Sequence, residues 1–128
     1  MRILLVDDHK AIRTEMRGLI ERETDMLVVA EAASGEEGLD LARAERPDIV
    51  IMDICLPGMN GIEATRRILA ECPGVRVLAL SNHVGEVLIR AVLDVGGKGY
   101  VAKSAAFEEL VPALRLIDGG GLYRSRRT

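Results

Sequence analysis

A short apolar stretch and the turn after it decide the fold: Asp48-Ile-Val-Ile-Met-Asp53, followed by Pro57-Gly58-Met-Asn-Gly61. Uninterrupted apolar runs of this length are typical of strands that are buried on both faces. A second such run, Ile3-Leu-Leu-Val6, ends in the acidic pair Asp7-Asp8. If the two runs are neighbouring parallel strands, three carboxylates meet at one edge of a sheet. Such a grouping is unfavourable unless a positive charge joins it, so the stretch predicts a cation site.

Five apolar runs alternate with five amphipathic helical patterns along the chain. The predicted strands are Arg2–Val6, Leu27–Ala30, Ile49–Met52, Val75–Leu80 and Gly99–Ala102. Regular alternation of this kind predicts a parallel sheet with helices on both faces. A capping box, Ser34-x-x-Glu37, predicts the start of the second helix, and Asn60 is expected to cap the third.

The last two helical patterns are less regular. Val84, Val87 and Leu88 belong to the main apolar stripe of the fourth, while Ile89 and Leu93 form a second apolar pair that fits either a partner surface or a wide buried face. The fifth pattern begins its stripe at Phe107 and contains Pro112, which predicts a kink or a late helix start.

Composition narrows the class of protein. The 128 residues fit one domain, and a net charge of -3 gives no general attraction to nucleic acid or to an anionic membrane. Cys55 and Cys72 lack metal-ligand spacing and are interpreted as reduced thiols. The chain shows no signal peptide and no apolar run of the ~18 residues that a membrane span needs, so we expect a cytoplasmic protein without a membrane contact.

Polar residues follow four of the five predicted strands. They are Asp7-Asp8, Asp53, Ser81-Asn-His83 and Lys103-Ser104. In open parallel sheets ligands bind outside the carboxyl ends of the strands, so these residues are expected to share one site. Three carboxylates and one ammonium group leave two negative charges, which a divalent cation would balance, and oxygen ligands favour Mg²⁺. A carboxylate beside a metal and a lysine is suited to phosphoryl transfer, with Asp53 as a covalent nucleophile.

This set of strand ends resembles the response-regulator receiver domain, the CheY-like domain of two-component signalling. The matching residues are Asp7-Asp8, Asp53, Leu56-Pro-Gly-Met-Asn-Gly61, Ser81 and Gly99-Tyr-Val-Ala-Lys103. Three short motifs further resemble the NarL/FixJ-type subfamily: Val6-Asp-Asp-His9, Ser81-Asn-His83 and Lys103-Ser104. The resemblance implies a flavodoxin-like (βα)5 doubly wound sandwich with five parallel strands in the order 2-1-3-4-5. Residues 1–118 would form the receiver, and residues 119–128 a tail or the start of a linker to an effector domain absent from the sequence.

The resemblance also implies a metal site and a phosphoacceptor. Asp53 would accept a phosphoryl group from a sensor histidine kinase, with Lys103 paired to that group. Asp8, Asp53 and the backbone carbonyl of Cys55 would bind Mg²⁺, and Asp7 would assist through water. The domain would be a phosphoprotein that catalyses only its own phosphorylation and dephosphorylation, so it is not a conventional enzyme.

Further implied roles concern signal output. Ser81 would hydrogen-bond the phosphoryl group and Tyr100 would swing inward in response, while Cys55 and His83 occupy positions associated with the rate of phosphoryl hydrolysis. The active surface would control transcription through a DNA-binding effector. A homodimer could form through helix 4, strand 5 and helix 5 or through helices 1 and 5.

The sequence departs from the usual receiver pattern in two places. Ser104 replaces the proline that commonly follows the lysine in a cis peptide. Because a cis bond without proline costs about 3 kcal/mol, the sequence leaves open whether the Lys103–Ser104 peptide is cis. Gly97 stands where alanine is common, and a looser turn before the fifth strand is expected. Two other functions stay open at this point: a receiver that acts only as a protein-interaction module, and an aspartyl-nucleophile phosphatase.

Overall fold

A computed structural model describes residues 1–82 and 85–125. The predictions for His83, Val84 and the last three residues of the tail, 126–128, therefore lie outside the described residues. The strands are β1 (Arg2–Val6), β2 (Leu27–Ala32), β3 (Ile49–Asp53), β4 (Arg76–Ser81), β5 (Gly99–Ala102) and β6 (Tyr123–Arg124). The helices are α1 (Lys10–Ile20), α2 (Gly35–Glu45), α3 (Gly61–Glu71), α4 (Glu86–Asp94) and α5 (Ala106–Asp118), and a 3₁₀ turn, Lys103–Ala105, precedes α5.

All six strands form one sheet in the order β2-β1-β3-β4-β5-β6, and every pairing is parallel. The predicted fold class and the order of the first five strands are confirmed. The strand count differs by one, because part of the predicted tail forms β6 and pairs with β5. The carboxyl ends of β1, β3, β4 and β5 lie side by side, which is the arrangement that the polar strand ends require.

Alternate residues of each strand face two separate layers. On one face Ile3 and Leu5 pack with the buried residues of α1 and α5, and on the other Leu4 and Val6 pack with those of α2 and α3. These four side chains are at most 1% exposed, and full burial of such a side chain contributes roughly 1.5–3 kcal/mol. The near-continuous apolar strands therefore reflect burial on both faces, as the sequence predicts.

Both predicted caps are present. The Ser34 hydroxyl accepts a hydrogen bond from the Glu37 backbone N–H at 3.1 Å, and the Glu37 carboxylate accepts one from the Ala33 N–H at 2.6 Å. The Asn60 side chain accepts a hydrogen bond from the Glu63 N–H at 2.9 Å. The second cap starts α3 directly after the turn that follows Asp53, so it helps to place that turn.

The inward faces of α4 and α5 differ from the predicted stripes. Helix α4 packs through Ile89 and Val92, and because Val87 lies on the opposite side of the helix it is 87% exposed. Helix α5 is continuous through Pro112, so of the two predicted alternatives, a kink and a late start, the late start is wrong. Phe107, in its first turn, is 72% exposed and lies at the rim of a groove between α1 and α5.

Among the residues that the structure describes, no helix is long and apolar enough to cross a membrane.

Candidate functional site

Three carboxylates from the ends of β1 and β3 meet at one edge of the sheet. Asp7 and Asp53 are 0% and 2% exposed, whereas Asp8 is exposed to solvent. One side-chain ligand atom from each of these residues and from His9 lies within 4.8 Å of the others. The sequence prediction that the three carboxylates converge is therefore confirmed by the coordinates.

Lys103 places its ammonium group between the two buried carboxylates. Its Nζ atom lies 3.0 Å from Asp7 Oδ2 and 3.2 Å from Asp53 Oδ2. The lysine reaches this position because β5 ends next to β4, and the 3₁₀ turn after β5 carries Lys103 over the sheet edge. One cation thus partly neutralises a cluster that would otherwise be strongly repulsive.

The pKa values of these groups reflect burial and their charged neighbours. Burial raises the pKa of Asp53 above its usual range; the negative charge of Asp7 acts in the same direction, and the Cys55 N–H and Lys103 only partly oppose the rise. Burial alone would lower the pKa of Lys103, but its hydrogen bond and charge pairing with Asp7 and Asp53 raise the pKa overall. The cluster therefore favours ligands that bring additional positive charge.

The donor set fits a hard divalent cation. Carboxylate oxygens with room for water are the ligands that Mg²⁺ prefers, and Asp8 presents its carboxylate at the solvent-exposed side of the cluster. Asp53 Oδ1 accepts a hydrogen bond from the Cys55 N–H at 3.0 Å, which fixes the orientation of the carboxylate. Asp7, Asp8, His9 and Asp53 are the side chains that lie close enough together to hold such a cation.

Gly61 determines how closely the turn after β3 can approach Asp53. Its N–H donates a hydrogen bond to the Ile54 carbonyl at 3.0 Å, and a Cβ atom at this position would lie 2.1 Å from the backbone oxygen of Asp53. The φ of Gly61 is not positive, so glycine is not needed here for a left-handed backbone conformation. Glycine is needed here because the two backbone segments touch.

Ser81 and Tyr100 lie on the side of the site that faces α4. Ser81 is the buried last residue of β4, and its hydroxyl oxygen lies 3.9 Å from the Cys55 sulfur. Tyr100 is 1% exposed and packs with Ile89 and Val92 of α4. Burial raises the pKa of Tyr100, and the nearby Ser81 hydroxyl opposes this rise. The ring that was expected to swing inward is thus inside the protein in this structure.

His9 belongs to the site, although the sequence analysis assigned it no role. The Nδ1 atom of the His9 ring lies 3.2 Å from both Asp7 Oδ1 and Asp8 Oδ1, and the His9 backbone N–H donates a hydrogen bond to Asp7 Oδ1 at 2.8 Å. His9 is also the N-cap residue of α1, so neither aspartate is the N-cap residue of that helix. The sequence signals were the adjacency of His9 to the acidic pair and its place in the subfamily motif, and neither specifies where the ring points.

The two departures from the receiver pattern have clear structural counterparts. The Lys103–Ser104 peptide is trans, as are all peptide bonds of the described residues. A Cβ atom on Gly97 would lie 2.5 Å from Val92 Cγ1 and 2.9 Å from the Val92 carbonyl oxygen. The turn before β5 is therefore tightly packed against α4, and the expectation that glycine loosens it is wrong.

Comparison with known proteins agrees with this geometry. A family model described as a response regulator receiver domain matches residues 3–115. The chain is 38% identical over 125 residues to the response regulator GacA of Pseudomonas viridiflava, covering 98% of this chain and 58% of that protein. It is 42% identical over 123 residues to the transcriptional activator protein ExaE of Pseudomonas putida, covering 96% of this chain and 58% of that protein.

A solved structure gives the same result for the fold. The crystal structure of a two-component response regulator of the LuxR family from Aurantimonas sp. SI85-9A1 superposes with a TM-score of 0.92 at 44% identity, over 95% of this chain and 87% of that one. The fold and the acidic site define a signalling domain of the two-component type. The chain belongs to the response regulator receiver domain family. It spans little more than half the length of the curated relatives named above.

Proposed function

We propose that this domain is a phosphorylation-controlled switch in which Asp53 is the phosphoacceptor. The observation that carries the proposal is the position of Lys103, whose Nζ bridges Asp7 and Asp53 at 3.0 and 3.2 Å beside the exposed carboxylate of Asp8. A buried acceptor, a cation and an open metal-binding side are the components that phosphoryl transfer to a carboxylate requires.

The proposed reaction is the transfer of a phosphoryl group to the carboxylate of Asp53. One oxygen attacks phosphorus while the bond from phosphorus to the leaving group breaks, and the product is an aspartyl phosphate. Because Lys103 already contacts Oδ2, its ammonium group is positioned to pair with a phosphoryl oxygen once the carboxylate is esterified. Bound Mg²⁺, held by Asp8, Asp53 and the Cys55 carbonyl with Asp7 acting through water, would neutralise the remaining phosphoryl charge.

The phosphoryl donor and the output follow from the family and the relatives. We infer that the donor is a phosphohistidine on a sensor histidine kinase in the cytoplasm, and that the output is transcription control by a DNA-binding effector domain. Ser81 would contact the phosphoryl group, and Tyr100 would couple the site to α4 and β5 because it packs on Ile89 and Val92. Self-association would then proceed through α4, β5 and α5 or through α1 and α5.

Phosphorylation of the isolated domain tests the proposal. The protein is incubated with Mg²⁺ and acetyl phosphate, and the phosphoryl adduct is measured by intact mass spectrometry. We expect one hydroxylamine-sensitive adduct on the wild type, none on Asp53→Asn, and an undiminished one on Asp94→Asn, an exposed aspartate of α4. No adduct on the wild type would show that the domain acts as an interaction module without phosphoryl transfer. An adduct of equal size on Asp53→Asn would show that Asp53 is not the phosphoacceptor.

A further inference from the structure

Residues 122–125 follow α5 and lie along the outer edge of β5, and we call them the strap. The chain leaves α5 through three glycines, Gly119–Gly121, and the strap then runs parallel to β5. The sequence predicts a tail or a linker over residues 119–128, and no local pattern in it indicates that residues 122–125 pair with the sheet.

Backbone hydrogen bonds hold the strap to β5. The Tyr123 N–H donates to the Lys98 carbonyl at 2.9 Å, and the Ser125 N–H donates to the Tyr100 carbonyl at 2.8 Å. Gly99 allows this close approach, since a Cβ atom there would lie 2.9 Å from the Tyr123 carbonyl oxygen. A side chain at position 99 would therefore occupy the space in which the strap lies.

Side chains of the strap reach the helices on either side of β5. The Tyr123 hydroxyl donates a hydrogen bond to Glu109 of α5 at 2.9 Å. Arg124 pairs with Glu86 of α4 across a groove of about 390 Å³ that Tyr100 and Leu93 also line. Ser125 is only 4% exposed. The strap thus touches α4, β5 and α5 together, and its salt bridge with Glu86 closes one side of the groove.

The strap shares β5 with the candidate functional site. β5 is only four residues long, and Lys103 follows its last residue directly. With the strap docked, β5 lies between β4 and β6; without it, β5 becomes an exposed edge strand that is hydrogen-bonded on one side alone. Without the strap β5 would be less ordered, and Lys103 would be in position to pair with a ligand at Asp53 in only a fraction of the molecules. Because ligand binding would then have to order β5, the apparent affinity for the ligand would be lower.

We propose that the surface formed by α4, β5 and α5 is an intramolecular docking site for residues 122–125, and that docking strengthens phosphoryl-group binding at Asp53. The second half of this inference rests on the proposed function, whereas the first half does not. By thermodynamic reciprocity, a phosphoryl group at Asp53 strengthens strap docking to the same degree. Any partner that pairs with this edge of β5 must displace the strap, so of the two self-association faces a phosphoryl group would favour the one formed by α1 and α5.

Hydrogen exchange tests docking independently of phosphorylation. Ser125→Pro removes the N–H that donates to Tyr100, while Ser125→Ala keeps that N–H and removes only the hydroxyl. We expect the amides of residues 98–102 and 123 to exchange faster by at least about tenfold in Ser125→Pro than in Ser125→Ala, with amides of β1 and β3 unchanged. Equal protection of β5 in the two variants would overturn the docking proposal.

Binding of beryllofluoride with Mg²⁺, a stable mimic of the phosphoryl group, tests the coupling. Titration calorimetry should give a Kd for beryllofluoride that is at least about fivefold higher for Ser125→Pro than for Ser125→Ala and the wild type. A fivefold change is the lower end of the usual range for coupling between two sites. Equal Kd values for all three proteins would overturn the coupling. If the wild type binds no beryllofluoride, the proposed function fails and so does the coupling, while the exchange experiment still decides the docking.

Discussion

A methyl group added at Gly61 should disturb both stability and the candidate site. The ideal Cβ of an alanine would lie 2.1 Å from the Asp53 carbonyl oxygen and 2.6 Å from Ile54 Cα. Real Cβ atoms do not approach other heavy atoms within 3.0 Å, so the two segments must separate by nearly an ångström. Both obstacles are backbone atoms, which cannot rotate away as the end of a side chain can.

The cost of this separation can be worked from the contacts that change. Overpacking of a tight interior costs about 1–3 kcal/mol, and weakening the hydrogen bond from Gly61 to the Ile54 carbonyl costs a further ~1 kcal/mol. A total of about 3 kcal/mol corresponds to a fall of roughly 10 °C in the thermal midpoint for a domain of this size. Because Asp53 itself must move, we also expect phosphorylation to slow by up to ~100-fold, the effect of an ångström of misplacement.

The assay compares Gly61→Ala with Gly18→Ala, a glycine in α1 that has nothing within 4 Å of its would-be Cβ. Thermal unfolding is followed by circular dichroism, and the initial phosphorylation rate with acetyl phosphate by intact mass. Gly18→Ala should be about 0.5–1 kcal/mol more stable than the wild type, since alanine favours the helix, and should be phosphorylated normally. A Gly61→Ala protein that unfolds at the wild-type temperature and reacts at the wild-type rate would refute the reasoning.

Three further substitutions have defined outcomes. Lys103→Met leaves the carboxylates of Asp7 and Asp53 buried without their cation. Urea unfolding at pH 7 should therefore show that the free energy of unfolding falls by about 3–5 kcal/mol, and saturating Mg²⁺ should reduce this loss. An unchanged urea midpoint would contradict the pairing. Asp53→Asn should stabilise the metal-free protein at pH 7. The pKa of Asp53 is raised in the folded protein above the value of 3.8 that it has in the unfolded chain, so folding favours the neutral carboxyl. The wild type therefore has its full stability below pH 3.8 and loses part of it as the pH rises through the raised pKa. The stabilisation should therefore vanish in unfolding curves below pH 3.8, and a pH-independent difference would count against it. Gly97→Ala should lose about 1–3 kcal/mol in thermal unfolding, since its Cβ would meet the Val92 carbonyl oxygen at 2.9 Å. A gain in stability, as the lower conformational entropy of the unfolded chain alone would give, would show that the turn can yield.

Much of the fold could be predicted because the signals are local. Apolar runs that are buried on both faces, such as Ile49–Asp53, differ visibly from the amphipathic helices between them, and caps such as Ser34 and Asn60 mark helix starts. The inward faces of α4 and α5 were harder to predict. Val87 and Phe107 fit an apolar stripe by spacing, yet each lies where no neighbouring element covers it.

The site was predictable for a related reason. In a parallel sheet the carboxyl ends of neighbouring strands lie at one edge, so the polar residue after each strand can be assigned to that edge from the sequence alone. Asp7, Asp53 and Lys103 were brought together on this basis, and their distances of 3.0 to 3.2 Å agree with it. The ring of His9 was missed, because its position depends on where α1 begins.

The sequence by itself thus determined the strand and helix order and the acidic site with its lysine, since both follow from periodicity and from the residues at strand ends. The tertiary structure alone decided that Tyr100 lies inside, that Gly61 is needed for contact with Asp53 rather than for a positive φ, and that the strap completes the sheet. Tyr123 and Arg124 form too short a strand to leave a periodic pattern, and β6 exists only because β5 has an open edge beside the end of α5. Contacts between segments distant in sequence depend on where the folded elements come to lie, and no local pattern records that.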